Sequence, residues 1–305
     1  MHYLVFSVFC SVLVSVLLKL APRQRLDMPQ VVTWNYLVAS VLSAVLLQPS
    51  LASLQSAHAP WAALLCLAVA LPAIFLMMAR AVTRAGIVRS DVAQRLSLLL
   101  SLLAAFLVFG ETANGWKLAG LGLGLLAILG ISVRPRAGAV EPTDGRAWPW
   151  LLAVWVGYAL VDILLKKVAL SGTPSMAALL ASFSLAFVLM LALQLWRHLR
   201  GIARLQWRNG VGGALLGLLN FGNILFYVRA HQHLPDSPAV VFAGMNIGVV
   251  VLGALVGILG FGERTSVWNR VGLALAVAPQ VSEGYSNLGT AAFITGLVLE
   301  FVVGA

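Results

Sequence analysis

The sequence predicts an all-α membrane protein with ten transmembrane helices, arranged as two inverted five-helix repeats. Three observations predict this fold. The 305 residues are 61% hydrophobic and 10% charged, with a mean hydropathy of +0.96, whereas soluble domains are about half apolar and about a quarter charged. The apolar residues form runs long enough to cross roughly 30 Å of hydrocarbon. A pattern from the middle of the chain also returns near its end.

Ten apolar runs, each bounded by charged residues, proline or glycine, are the predicted helices. A backbone inside a bilayer must satisfy its own hydrogen bonds, and these runs lack the alternation of barrel strands, so they are expected to be helical. In chain order the predicted helices cover 3–20, 31–48, 61–79, 91–109, 117–133, 148–165, 176–196, 211–228, 238–259 and 270 onward.

The longest polar break, over 134–149, separates five predicted helices from the next five. It divides the chain into a first repeat over 1–137, a connecting loop over 138–147 and a second repeat over 148–280. The last residues, 281–305, depart from the repeat. Pro279 would break a helix interior and Glu283 would be costly in lipid. Either the tenth helix is interrupted or these residues form an atypical tail, and we favour the tail.

The repeat is visible as "FGETANGWKLAGLGL" from Phe109 and "FGERTSVWNRVGLAL" from Phe261, in which Glu111 and Glu263 are 152 positions apart. Earlier in each half, "SVLLK" at 15–19 corresponds to "DILLK" at 162–166, an offset of 147. Likewise "ARAV" at 79–82 corresponds to "VRAH" at 228–231, an offset of 149. Because each unit has five helices, the second enters the membrane from the opposite side. Inverted repeats are the architecture of alternating access.

These residues also carry a resemblance to a known family. The Phe-Gly-Glu after the fourth and ninth predicted helices, the glycine-rich helix that follows each, and the stretch over 219–257 resemble the drug/metabolite transporter superfamily of the EamA type. The resemblance covers nearly the whole chain. It implies a ten-helix carrier of small metabolites with its site between the two halves.

The basic residues predict an orientation. The net charge is +10, but the Lys and Arg residues lie in short clusters between apolar runs, a pattern of membrane topology rather than of nucleic-acid binding. Fifteen of the 20 fall in the odd-numbered connections and four in the even ones. The positive-inside rule therefore places the odd connections in the cytoplasm and the N-terminus outside, whereas the resemblance implies an N-terminus inside.

Ionisable groups within predicted spans are the first candidates for a site, because each is costly in lipid and usually faces a cavity or a partner. Asp91 and Arg95 are four apart, and Gln94, Ser97 and Ser101 extend the polarity of the same helix. The pair could simply neutralise itself near the interface. We favour the alternative, in which Arg95 is a bidentate clamp for an anionic or zwitterionic substrate, with Asp91 and Gln94 beside it.

Asp162 is a candidate coupling residue. It lies four positions before Lys166, so the two could form a pair that snorkels to the nearby interface. If Asp162 instead faces a cavity, its carboxyl group could bind and release a coupling proton.

Side-chain amides supply the remaining candidates for substrate binding. Asn220, Asn223 and Tyr227 are three and four apart and share one helix face, which Asn246 of the next helix could meet. Asn35 and Tyr36 are similar candidates with less support. Amides also join membrane helices without any role in binding, and that alternative remains open for one or two of them.

Other classes of function find little support in the sequence. An intramembrane enzyme would need a nucleophile with its base or a metal motif such as HExxH, and neither is present; His231 and His233 are expected in a loop. There is no GxxxxGK[ST] motif for ATP. The alternative is an intramembrane enzyme or a non-transporting membrane scaffold. We expect no cofactor and no metal, with a small metabolite and the lipid bilayer as partners and a monomer or homodimer as the assembly.

The sequence thus predicts a multi-pass secondary transporter of the inner (cytoplasmic) membrane. Its expected substrates are small polar or amphipathic metabolites, such as amino acids, moved by proton coupling or exchange. The amino-acid class and the direction, export, are implied by the family resemblance alone.

Overall fold

The computed structural model describes residues 2–55, 59–107, 147–233 and 238–262, and within these ranges every regular element is helical. In chain order the α-helices are α1 (His2–Leu20), α2 (Met28–Leu42), α3 (Trp61–Ala85), α4 (Ile87–Leu107), α5 (Trp148–Leu170), α6 (Ser175–Leu199), α7 (Trp207–His233) and α8 (Pro238–Leu255). Two π-helical turns, Ser43–Leu47 and Val256–Gly260, extend α2 and α8, and Ala52–Gln55 is a 3₁₀ turn.

Length and composition make six of these eight helices able to cross a membrane: α1, α2 with its π-helical turn, α3, α5, α6 and α7. Large apolar side chains on the outer surface agree with a lipid environment. Phe6, Phe9, Leu65, Val69 and Val188 are each about half exposed. In water such an apolar surface would promote aggregation, whereas in a bilayer it contacts the hydrocarbon chains of the lipid. An all-α, multi-pass membrane protein is therefore confirmed for the described residues.

Several predicted features lie outside the described residues. These are the predicted helices over 117–133 and from 270 onward, the recurring Glu111 and Glu263, most of the connecting loop and the tail over 281–305. The remaining eight predicted helices have observed counterparts within a few residues at each end.

Several predicted boundaries are wrong because helices continue past their apolar run into basic turns. Helix α3 includes Arg80 and Arg84, whose guanidinium groups lie 4.8 and 5.8 Å from the ring of Trp150. Helix α5 includes Lys166, and α7 includes His231 and His233, which we had expected in a loop. A helix keeps its backbone hydrogen bonds where it leaves the membrane, and long cationic side chains can extend from its last turn.

One end of the bundle, here called the basic end, carries residues 19–25 and 197–208. The last turn of α1, the first turn of α2, the last turn of α6 and the first turn of α7 meet there. Asp27 caps α2 by accepting a hydrogen bond from the Gln30 backbone N–H (3.1 Å) and also pairs with Arg197 (2.7 Å). At the opposite end, the ring of Tyr3 lies 5.1 Å from that of His233.

The contacts between the first four helices and the second four occur in matching pairs. Each contact has a counterpart in which α1, α2, α3 and α4 are replaced by α5, α6, α7 and α8, and the reverse. Helix α1 packs on α7 while α5 packs on α3, and α2 packs on α7 while α6 packs on α3. Likewise α4 packs on α5 while α8 packs on α1. The core therefore lies largely between the two sets of helices rather than inside either set.

Glycines permit the closest of these contacts. A Cβ atom at Gly213 would lie 2.5 Å from the Val31 carbonyl oxygen, and one at Gly217 would lie 2.8 Å from the Asn35 carbonyl oxygen. Helices α2 and α7 thus touch backbone to backbone. This contact fixes α7, and with it the polar face that begins at Asn220.

Candidate functional site

A cavity of about 460 Å³ lies in the middle of the bundle, between the first four helices and the second four. Its size is within the range of small-molecule sites. Its polar lining consists of Ser11, Ser15, Tyr36, Gln94, Arg95, Tyr158, Asn220, Asn223, Tyr227 and Asn246. Its apolar lining consists of Val14, Leu18, Leu71, Ile74, Phe75, Met78, Val161, Leu165, Met176, Leu179, Phe183, Ile224, Val228 and Met245.

Arg95 is the charged side chain that the described lining presents. Its Nη1 donates to Asn246 Oδ1 (2.7 Å), and its Nη2 makes a longer contact with Ser11 Oγ (3.5 Å). Its Nε is buried and has no hydrogen-bond partner among the described residues. The edge of the guanidinium formed by Nε and Nη2 is therefore the less engaged one, and this edge can bind a carboxylate in bidentate fashion.

Asp91 lies one turn closer to the basic end than Arg95 and is not in the cavity lining. Its side chain is 2% exposed, and its Oδ1 accepts a hydrogen bond from Ser15 Oγ (2.8 Å). Helix α8 approaches closely here, since a Cβ atom at Gly253 would lie 2.6 Å from Asp91 Oδ2. Asp91 therefore joins α4 to α1 and α8 directly behind the cavity.

Asp162 also lies just outside the lining, on α5. Its Oδ2 accepts a hydrogen bond from Ser101 Oγ (3.1 Å), and Ser101 belongs to the polar face of α4 that the sequence identified. The carboxyl group therefore faces α4 in the interior of the bundle. It is close enough to Arg95 for the two charges to interact electrostatically.

The predicted amides line the polar side of the cavity, with one exception. Asn35 is fully buried behind it and accepts a hydrogen bond from Asn220 Nδ2 (3.3 Å). Asn223 is held from the other side by the hydroxyl of Ser7, which lies 2.8 Å from Asn223 Oδ1. These bonds connect α7 to α2 and to α1, so the amides both face the cavity and hold its walls together.

Tyr36 lines the opposite side of the cavity within an aromatic group. Its ring lies 6.0 Å from that of Phe75 and 5.9 Å from that of Phe183. The side chain is fully buried, and its hydroxyl group has no hydrogen-bond partner among the described residues. A buried phenol hydroxyl normally finds a partner, so the Tyr36 hydroxyl is an unsatisfied polar atom beside the cavity.

Of the ten predicted site residues, the cavity lining brings together Arg95, Gln94, Asn220, Asn223, Tyr227, Asn246 and Tyr36, and it leaves Asp91, Asn35 and Asp162 just behind it. Their roles in binding and coupling stay predictions. Sequence reasoning missed Ser11, Tyr158 and the aromatic pair Phe75 and Phe183. Ser11 and Tyr158 do share one signal, because they are 147 positions apart, the offset of the "SVLLK" and "DILLK" segments.

The same relation extends to most of the cavity. Ten pairs of lining residues account for 20 of the 24 and fall on three offsets. At 147 they are Ser11 and Tyr158, Val14 and Val161, Leu18 and Leu165, and Tyr36 and Phe183; at 149, Leu71 and Asn220, Ile74 and Asn223, Phe75 and Ile224, and Met78 and Tyr227; at 151, Gln94 and Met245, and Arg95 and Asn246. Positions that correspond between the two halves therefore both contribute to the lining of one cavity.

The two walls differ in chemistry at these corresponding positions. Helix α3 presents Leu71, Ile74 and Met78, whereas α7 presents Asn220, Asn223 and Tyr227 at the matching places. The cavity therefore has an apolar wall on α3 and a polar wall on α7.

A second polar cluster joins the two sets of helices at the basic end. Asp27 receives two hydrogen bonds from Arg197, at 2.8 and 2.7 Å, and Asn209 donates to Gln30 Oε1 (2.9 Å). Burial acts to raise the pKa of the Asp27 carboxyl group, but the hydrogen bonds from Arg197 and from the Gln30 backbone N–H outweigh it, together with the Arg197 charge. The pKa of Asp27 therefore lies below its ordinary value.

Comparison with known proteins identifies similar sequences and one similar fold. The model of the EamA-like transporter family matches residues 1–133. An uncharacterized protein of Haemophilus influenzae (strain ATCC 51907 / DSM 11121 / KW20 / Rd) is 42% identical over 287 residues, which are 91% of this chain and 96% of the relative. A solved crystal structure of another protein aligns with 91% of this chain, and the alignment covers 95% of that protein's chain. The TM-score is 0.52 and the identity is 16%, which shows a shared fold.

Proposed function

The chain belongs to the EamA-like transporter family, and on this premise we propose that it is a secondary active transporter. It moves a small polar or amphipathic metabolite across the cytoplasmic membrane by alternating access. The observation that carries the proposal is the central cavity, whose lining is built from corresponding positions of the two halves around the half-buried Arg95.

The proposal takes the fold to be an inverted repeat of two five-helix units, over 1–137 and 148–280. Helix directions support it. Helix α1 ends at the basic end, beside Lys19, whereas its equivalent α5 begins there, where Trp150 lies under Arg80. The exchanged helix contacts support it as well, since the contacts between the two sets, such as α1 on α7 and α5 on α3, occur in matching pairs. Two units related in this way can exchange conformations, which opens a site between them to each side in turn.

Arg95 and Asn246 are central to this arrangement. They are 151 positions apart, correspond between the two halves and contact each other directly. Equivalent positions can touch only close to the pseudo-twofold axis that relates the halves. Tyr36 and Phe183 are a second pair of equivalent positions, and their rings are in contact on the other side of the cavity. A substrate bound between these two contacts would touch both halves at once and would sense any motion of one against the other.

Coupling is assigned to Asp162, whose carboxyl group is partly buried beside the polar face of α4 and within electrostatic reach of Arg95. Proton binding there changes the charge next to the site, which suits proton coupling or exchange. The basic end is placed in the cytoplasm by the positive-inside rule. Export and amino acids as the substrate class follow from the resemblance alone.

Flux measurements on purified protein in liposomes test the proposal. A metabolite library is first screened by thermal shift, and compounds that stabilise the protein are then tested for flux with and without a pH gradient. We expect protein-dependent flux that Arg95→Ala abolishes while membrane insertion is kept. The matched control is Arg229→Ala, which removes an exposed arginine near the end of α7 and should transport normally. Full flux in Arg95→Ala would remove this residue from the site.

A further inference from the structure

We propose that the substrate is an amphipathic monocarboxylate, whose carboxylate binds Arg95 and whose apolar body lies against the α3 wall and the aromatic residues Phe75 and Phe183. This inference rests on the proposed transport function and specifies the substrate class of the same cavity. It follows from the charges, the hydrogen bonds and the polarity of the walls.

The charge of the cavity favours an anion. Among the described lining residues Arg95 is the charged group. The nearby Asp91 and Asp162 are not in the lining, and their carboxyl groups accept hydrogen bonds from Ser15 and Ser101. A cationic substrate would need a carboxylate facing it, and the described lining offers none. One guanidinium neutralises a single negative charge, so a monoanion matches the site better than a doubly charged phosphate.

The hydrogen bonds favour a planar carboxylate. The Nε of Arg95 has no partner among the described residues, and the neighbouring Nη2 has its contact with Ser11 at 3.5 Å. Nε–H and Nη2–H form a fork that matches the two oxygens of a carboxylate. The Nη1 bond to Asn246 at 2.7 Å keeps the guanidinium in place, while the buried Nε has no hydrogen-bond partner among the described residues.

The walls favour an apolar body attached to that carboxylate. Fourteen of the 24 lining residues are apolar, and the α3 wall places Leu71, Ile74 and Met78 where α7 has Asn220, Asn223 and Tyr227. A small, strongly hydrated anion would leave this apolar surface without a partner. An aryl or alkyl group covers it, and the hydroxyl of Tyr36 beside Phe75 and Phe183 can accept or donate one hydrogen bond to a polar substituent.

The test compares ligands that share one body and differ in the head group. Purified protein is titrated with 3-phenylpropionate, 3-phenylpropionamide and 3-phenylpropylamine, with binding read by thermal shift and calorimetry. We expect the carboxylate to bind and the amide and amine to bind at least about tenfold more weakly, since hydrogen bonds to a charged partner are the strong ones. Equal binding of the three, or tighter binding of the amine, would overturn the inference on the unaltered protein.

Two variants extend the test. Arg95→Gln removes the charge but keeps donors, and it should weaken 3-phenylpropionate about tenfold or more while leaving 3-phenylpropionamide unchanged. Leu71→Asn gives α3 the residue that α7 carries at the matching position, and it should reduce the advantage of 3-phenylpropionate over acetate. An unchanged ligand preference in both variants would contradict the assignment of head and body.

Flux separates failure of this inference from failure of the proposed function. If 3-phenylpropionate binds in the expected pattern but crosses no liposome membrane, the substrate chemistry stands and transport is refuted. If an amine or a neutral compound is bound and transported while carboxylates are not, transport stands and the monocarboxylate is refuted.

Discussion

Replacing Gly213 by alanine should separate α2 from α7 and lower the stability of the protein. The added Cβ atom would lie 2.5 Å from Trp34 Cβ and 2.5 Å from the Val31 carbonyl oxygen. Optimal contacts between such atoms are about 3.5–4.0 Å long, so the helices must part by roughly 1 Å. The backbone oxygen cannot move aside as the end of a flexible side chain could.

The size of the effect follows from two opposing contributions. Overpacking of a close contact costs about 1–3 kcal/mol, while alanine gains about 1 kcal/mol over glycine inside a helix. Gly210→Ala is the control, because Gly210 lies on the same helix and its Cβ atom would meet nothing closer than 3.8 Å. This variant carries the helix gain without the overpacking, so the difference between the two variants measures the overpacking cost. The free energy of unfolding of Gly213→Ala should therefore fall about 1–3 kcal/mol below that of Gly210→Ala.

Tryptophan fluorescence during thermal unfolding in detergent measures this difference. Gly213→Ala should melt several degrees below Gly210→Ala, whereas Gly210→Ala should melt at or above the temperature of the unaltered protein. Because the α2–α7 contact also carries the Asn35–Asn220 hydrogen bond at the cavity, Gly213→Ala should bind ligand more weakly as well. Equal melting temperatures for the two variants would refute the backbone contact between α2 and α7.

Three further predictions concern the basic end and coupling. Because the pKa of Asp27 is held below its ordinary value, its contribution to stability is complete above about pH 4 and is lost as the pH falls through the folded-state pKa. The melting temperature should drop over that range, and Asp27→Asn should lack this drop; an identical pH profile would show that the pair with Arg197 is not the cause. Asp162→Asn should keep exchange of substrate between liposome compartments but lose the stimulation by a pH gradient, and retained stimulation would place the coupling proton elsewhere. A single cysteine at Ala203, in a protein without the native cysteines, should react with a membrane-impermeant maleimide only after cells are opened, whereas labelling of intact cells would reverse the orientation.

Helix content was readable from the sequence because the cost of placing a polar group in lipid applies residue by residue along the chain. The eight described helices match predicted runs for this reason, and their errors fall at basic turns such as Arg80 and His231, where hydrophobicity no longer marks the helix end. The candidate site was partly readable for the same reason. Arg95 and Asn223 stand out against apolar neighbours, and their spacing along a helix fixes a shared face.

The sequence did not show which apolar residues of a helix face the core and which face the lipid. In α1, Phe6 and Phe9 are about half exposed while Val8 and Val12 are buried, yet all four are hydrophobic. A soluble helix reveals its buried face by contrast with polar residues, but a helix in lipid is apolar on both faces, and that contrast is lost. Phe183 was therefore indistinguishable from its neighbours until packing brought it to the cavity.

The sequence by itself determined that the chain forms membrane helices, that its halves correspond at offsets near 150, and that a few polar side chains lie within them. Only the tertiary structure decided that Arg95 meets Asn246, that Asp27 meets Arg197 across 170 positions, and that α3 supplies an apolar wall opposite the polar wall of α7. These contacts join residues that are distant in the chain. They depend on how several helices pack at once, which no local pattern of residues encodes.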